Sequence, residues 1–128
     1  MKNHKSLTMV TAVLMGVAGL AGGANAGTIT TPTLQKADAD YFVCRVVNTG
    51  LTPRDVIIET RSGTGAAANG PFSYTIPPGQ SVAQLYALDF HNVAYCVVTG
   101  QTSKTKTLVT FCTRANGAER CDATVTAP

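Results

Sequence analysis

Short segments of β-forming residues recur from residue 40 to residue 126 at a spacing of about ten, with turn chemistry between them. No amphipathic stretch of helical length interrupts that rhythm, so the expected fold is an all-β sandwich of about seven to eight antiparallel strands. Residues 40–48 show the period of two: Phe42, Cys44 and Val46 share one face, and Tyr41, Val43, Arg45 and Val47 the other. In residues 93–99 the same period groups Ala94, Cys96 and Val98. Val56, Ile58 and Thr60 alternate with Ile57, Glu59 and Arg61, and Phe72, Tyr74 and Ile76 alternate with Ser73 and Thr75. Residues 62–71, rich in glycine and alanine, and Pro77-Pro78-Gly79 read as connections, since proline lacks the ladder N–H and glycine admits tight turns.

Four cysteines allow three pairings, and the strand pattern favours Cys44 with Cys96 and Cys112 with Cys121. Cys44 and Cys96 both point inward from extended segments that can lie side by side. Closing the long loop between them is worth roughly 4 kcal/mol in chain entropy. Residues 105–114 and 120–126 flank the turn-prone Ala115-Asn116-Gly117-Ala118-Glu119, so Cys112 and Cys121 would staple a hairpin.

Cross-links need an oxidising compartment, and the first 26 residues supply the reason to expect one. Lys2 and Lys5 precede an apolar run from Leu7 to Leu20, which ends before Ala24-Asn25-Ala26, the pattern of a cleavable export signal. The run is shorter than the roughly 20 residues that span a bilayer and is interrupted by Thr8, Thr11, Gly16 and Gly19. There is no Arg-Arg pair, and Cys44 is too distant for lipidation at a signal cleavage site. Residues 1–26 are therefore expected to be removed, leaving residues 27–128 as a single domain, exported to the periplasm or the medium. The Gly/Ala-rich stretch fits a bacterial signal, and no membrane insertion is expected after cleavage.

Loss of the leader narrows the chemistry. It removes Met1, Met9, Met15 and His4, leaving no methionine, no tryptophan and a single histidine, His91. The ten lysines and arginines lose Lys2 and Lys5, so cations then exceed the seven acids by about one. A field that weak does not recruit nucleic acid or an anionic membrane.

Three motifs within residues 41–100 resemble the immunoglobulin-like β-sandwich modules of bacterial exported and surface proteins, the CARDB-type modules among them. Val46-Val47-Asn48-Thr49-Gly50 is similar to their strand ending in an Asn-Thr-Gly turn, residues 56–60 to the following strand, and Ile76-Pro77-Pro78-Gly79-Gln80-Ser81-Val82 to their turn and next strand. The paired cysteines and the C-terminal hairpin depart from that pattern. The resemblance implies an immunoglobulin-like sandwich serving as a binding or spacing module, with no shared catalytic site and no functional residue to carry over; separately, no cofactor is expected.

Candidates for chemistry are few. His91 sits in Asp89-Phe90-His91-Asn92, where a base can meet a carboxylate, but Asp and Asn are also the residues of a turn. A hydrolase centred on His91 would need Ser62, Ser73, Ser81 or Ser103 as nucleophile, and none has a Gly-x-Ser-x-Gly context. A blue-copper site needs two histidines and a thiolate, and compact zinc or redox sites need close Cys-x-x-Cys spacing. Asp38-Ala39-Asp40 offers calcium two carboxylates, far short of its usual six to eight oxygens. Lys104, Lys106, Arg114 and Arg120 could form a basic edge, as edge strands do to discourage aggregation.

Two β alternatives concern assembly. Residues 27–34, extended and broken by Pro32, could serve as the intersubunit strand of a surface fibre of pilus type. An outer-membrane barrel would need eight spanning strands and aromatic girdles that four Tyr and four Phe do not supply. The expectation is a small exported protein without catalysis, a binding, structural or cell-envelope interaction module whose partner is a protein or a glycan.

Overall fold

The computed structural model describes residues 27–37, 40–87 and 92–128. Residues 1–26, the expected export leader, therefore lie outside the described residues. Nine strands follow in order: β1 (Gly27–Thr30), β2 (Leu34–Gln35), β3 (Tyr41–Asn48), β4 (Arg54–Ser62), β5 (Ala67–Ile76), β6 (Ser81–Tyr86), β7 (Val93–Gly100), β8 (Thr107–Arg114) and β9 (Ala123–Thr126). All pairings are antiparallel, and no helix occurs among the described residues. One sheet runs β1–β7–β4–β5, with β2 further along β7, and the other runs β6–β3–β8–β9.

The strand count exceeds expectation because the first edge is split. Gly27–Thr30 pairs with one half of β7 and Leu34–Gln35 with the other. Between them Pro32 cannot donate to a ladder. Thr31 nevertheless stays attached: its N–H donates to the Cys96 carbonyl at 3.0 Å, and its Oγ1 accepts from the Cys96 N–H at 2.9 Å. The fifth strand is also longer than expected. Residues 67–71 continue β5 rather than the connection, with two register shifts against β4 absorbing the glycine and proline.

The period of two builds the core. Phe42, Cys44 and Val46 from β3 meet Val56 and Ile58 from β4, Cys96 and Val98 from β7, and Val109 and Phe111 from β8. Phe42 lies between two rings, 5.1 Å from Phe111 and 6.4 Å from Tyr86 between centroids. Both phenylalanines are fully buried, each worth about 2–3 kcal/mol in apolar area. At the centre, Cys44 and Cys96 form a disulfide between the two sheets, with Cα atoms 6.0 Å apart.

Cys112 and Cys121 form the second expected bridge, Cα atoms 5.8 Å apart. Here alternation turns Val43 and Cys112 away from the inter-sheet core, where they face each other in register. Both are buried all the same, because the bridge and the 115–122 connection fold over that side of the sheet. Tyr41 pins the connection from below, its hydroxyl bonded to Asn116 Oδ1 at 3.0 Å.

The inner strands follow immunoglobulin pairing: β3 with β6, β4 with β7, and a disulfide joining the middles of the two sheets. The outer strands are exchanged. β8, which would follow β7 in the same sheet, pairs with β3 along all eight of its residues, and β1 and β2 take the place beside β7.

Candidate functional site

The site is built where β4 begins and β7 ends. Asn48, at 1% exposure, closes β3 and shapes this end of the sandwich. Its Nδ2 donates to the carbonyls of Thr52 at 2.8 Å and Ile76 at 2.9 Å, and its Oδ1 accepts the Gly50 N–H at 3.0 Å. The Asn-Thr-Gly turn is thus tied to two neighbouring segments, and Pro53 delivers Arg54 and Asp55 into β4.

Opposite them, β7 ends at Gly100 in the left-handed region, with φ at +105°. A Cβ there would stand 2.7 Å from the Asp55 carbonyl oxygen, so the close approach of β7 to β4 requires glycine. Gln101 locks the junction: its N–H donates to Asp55 O and its Oε1 accepts the Asp55 N–H, both at 2.9 Å. Arg54 Nη1 adds a bond to the Gln101 carbonyl at 3.3 Å.

Two adjoining concavities result, sharing Gln101. The larger, about 440 Å³, lies on the outer face of the β1–β7–β4–β5 sheet, with Ile57 and bare Gly100 beneath Asp55, Ser73, Thr75 and Gln101. Asp55 is held by Thr75, whose hydroxyl donates to Oδ1 at 2.5 Å. The smaller, about 280 Å³, is lined by Thr52, Pro53, Arg54, Gln101 and Lys106. It is polar and carries two cationic side chains with no carboxylate in its wall among the described residues. Arg54 Nε is buried there without a hydrogen-bond partner in the described structure. A buried donor in that state costs about 1–3 kcal/mol.

Further along the same face, the Arg61 guanidinium bonds the Glu59 carboxylate, and that hydrogen bond holds the Arg61 pKa above its ordinary value. The neighbouring charge is thus spent within the sheet, whereas neither Arg54 nor Lys106 has a carboxylate partner among the described residues.

The residues singled out in the sequence fall into three groups. Cys44, Cys96, Cys112 and Cys121 are all cross-linked and leave no free thiol. The four basic residues do not form one edge: Lys104 and Lys106 lie in the turn before β8, and Arg114 ends that strand, about 24 Å from its start at 3.4 Å per residue. Arg120 belongs to the connection at Arg114's end. His91, Asp89 and Asp38 lie outside the described residues. Among those described, no three His, Cys, Asp or Glu side chains group as metal ligands, and no helix is long and apolar enough to cross a membrane. Residues 27–30 pair with β7 of their own chain, and Ile29 enters the core at 5% exposure.

Sequence reasoning missed Arg54, Asp55 and Gln101, which belong to no motif. The available signal was Gly100-Gln101 at the end of an apolar strand, a strand end that needs a glycine and is followed by an amide.

No family model matches the chain, and no curated protein matches it. Among solved structures it is similar to the "Crystal Structure of Thermotoga maritima 1070", with a TM-score of 0.53 and 11% identity, over 82% of this chain and 95% of that one. At that identity the likeness shows a shared fold.

Proposed function

We propose that the protein is a small exported binding module that acts without catalysis and holds an acidic glycan across the two joined concavities. Two disulfides with no free cysteine fit a non-reducing compartment and a rigid scaffold. The observation that carries the ligand class is the pairing of a mostly apolar groove, rimmed by a few polar side chains, with a cationic pocket. Ser73, Thr75, Asp55 and Gln101 offer the donors and acceptors that sugar hydroxyls need, and Ile57 offers an apolar floor for a ring face. Arg54 and Lys106, one step away, suit a carboxylate or sulfate on the same chain.

Titration calorimetry with sulfated, uronic and uncharged oligosaccharides tests the reading. Binding should favour the acidic sugars, weaken with salt, and fall about tenfold or more in Arg54→Ala with Lys106→Ala, equivalent to losing one charge-assisted hydrogen bond. Equal affinity for charged and uncharged sugars, or no change in the double variant, would refute it.

A further inference from the structure

From Ser62 to Leu88 no residue carries a charge, and this run contains both strands that form one side of the sandwich. β5 is the free edge of one sheet and β6 the free edge of the other. They lie together, joined by the Tyr74 hydroxyl to Gln84 and by Asn69 Nδ2 to the Leu85 carbonyl at 3.2 Å. Edge strands normally carry lysine, proline or a bulge that blocks pairing with another chain. β5 has such a guard in Gly70-Pro71 and its register shifts. Within Ser81–Tyr86 there is no charge, no proline and no register shift.

The unused hydrogen-bonding groups of β6 can be assigned. Asn48 N–H donates to the Gln80 carbonyl at 2.9 Å, so Gln80 faces β3, and alternation turns Val82, Gln84 and Tyr86 the same way. Ser81, Ala83 and Leu85 then direct N–H and C=O outward, in agreement with the Asn69 bond to Leu85 O. That carbonyl keeps a second lone pair.

We propose that β6 pairs antiparallel with β6 of a second copy about a two-fold axis at Ala83, joining two four-stranded sheets into one. Ala83 then faces Ala83, and Ser81 faces Leu85 on both sides of the axis, with about six backbone hydrogen bonds formed. The choice of a second copy follows from charge. A two-fold axis sets each residue against its own symmetry set, so a charged edge meets like charge; β6 and neighbouring β5 bring none, and the nearest cation, Arg45, lies one strand back opposite Ala83, about 14 Å from its symmetry mate across three strand spacings. Exposed Leu85, at 44%, gains a cover. The other side of the sandwich is less suited: β1 and β2 are interrupted by Pro32, and β9 follows Glu119, Arg120 and Asp122. The pairing is independent of the ligand proposed for the groove.

Sedimentation equilibrium of the disulfide-intact protein from about 1 µM to about 1 mM spans the affinities of small, transient interfaces. Wild type should shift from monomer to dimer across this range. Ala83→Lys and Ala83→Glu place like charges across the axis on an exposed side chain, so each should dissociate about tenfold more readily and stay folded, with a thermal midpoint moved only by the small cross-strand contact with Arg45, down for lysine and up for glutamate. Mixed in equal amounts, the two variants should form a heterodimer, visible by native mass spectrometry. A wild-type monomer at every concentration, a dimer that neither substitution weakens, or variants that fail to pair when mixed would each overturn the proposal.

Discussion

Replacing Cys44 and Cys96 together with alanine should destabilise the protein more than the same change at Cys112 and Cys121, by a margin that follows from loop length and burial. The inter-sheet bridge closes a separation of 52 residues and the hairpin bridge one of 9. In the chain-entropy account those loops are worth about 4 and about 2.5 kcal/mol. Burial widens the gap, since Cys44 and Cys96 are both fully buried, whereas Cys121 is exposed. Truncating two core sulfurs adds roughly 1 kcal/mol of lost packing. The expected losses are therefore about 5 kcal/mol against about 2.5, out of a total of order 5–15 for a domain. At about 5 °C per kcal/mol for a chain of this size, the midpoints should fall by about 25 °C and about 12 °C. Urea unfolding followed by circular dichroism, with the remaining bridge left oxidised, measures both. Equal losses, or a larger loss at the hairpin, would show that the unfolded chain is not what these bridges constrain.

Gly100→Ala should cost about 2–3 kcal/mol, because the new Cβ meets the Asp55 carbonyl, whereas Gly79→Ala, with nothing within 4 Å, should cost about 1 from its positive φ alone; urea midpoints separate the two. Asn48→Ala leaves the carbonyls of Thr52 and Ile76 and the Gly50 N–H without their partner and should cost about 2–4 kcal/mol by the same assay. Burial raises the Tyr86 phenol pKa, so its neutral form persists in the folded state after the unfolded chain has begun to ionise. The unfolded state then binds fewer protons, and stability is retained below the ordinary tyrosine value of about 10 and lost as pH rises through the folded value. Thermal midpoints should drop between about pH 9 and about pH 11, with a smaller drop in Tyr86→Phe.

Side-chain alternation made the inner strands legible, since Phe42, Cys44 and Val46 cannot be buried together except on one face of a strand. The same pattern is silent about neighbours. It tells which way Phe111 points but not that β8 leaves β7 for β3, because either sheet would bury that face equally well. The start of β5 was hidden by its residues, for Asn69, Gly70 and Pro71 carry turn chemistry, Ala67 and Ala68 have little strand preference, and pairing with β4 holds them extended. The groove was hidden by distance along the chain. Arg54 and Asp55 meet Gln101 through a glycine crossing, and Lys106 joins them only after the turn into β8. Candidate chemistry in the sequence centred on histidine, cysteine and paired acids, none of which builds this site.

The bridge between β3 and β7 also divides the molecule mechanically. β4, β5 and β6 all lie inside the closed loop from Cys44 to Cys96, while β1, β2, β8 and β9 lie outside it. Tension applied through the two ends passes across the sulfur bond and bypasses the enclosed strands. About 180 Å of contour, at about 3.5 Å per residue, is withheld from any extension. A tethered molecule would peel at its outer strands and then stop, with the neutral β6 edge still inside the part that never comes under load.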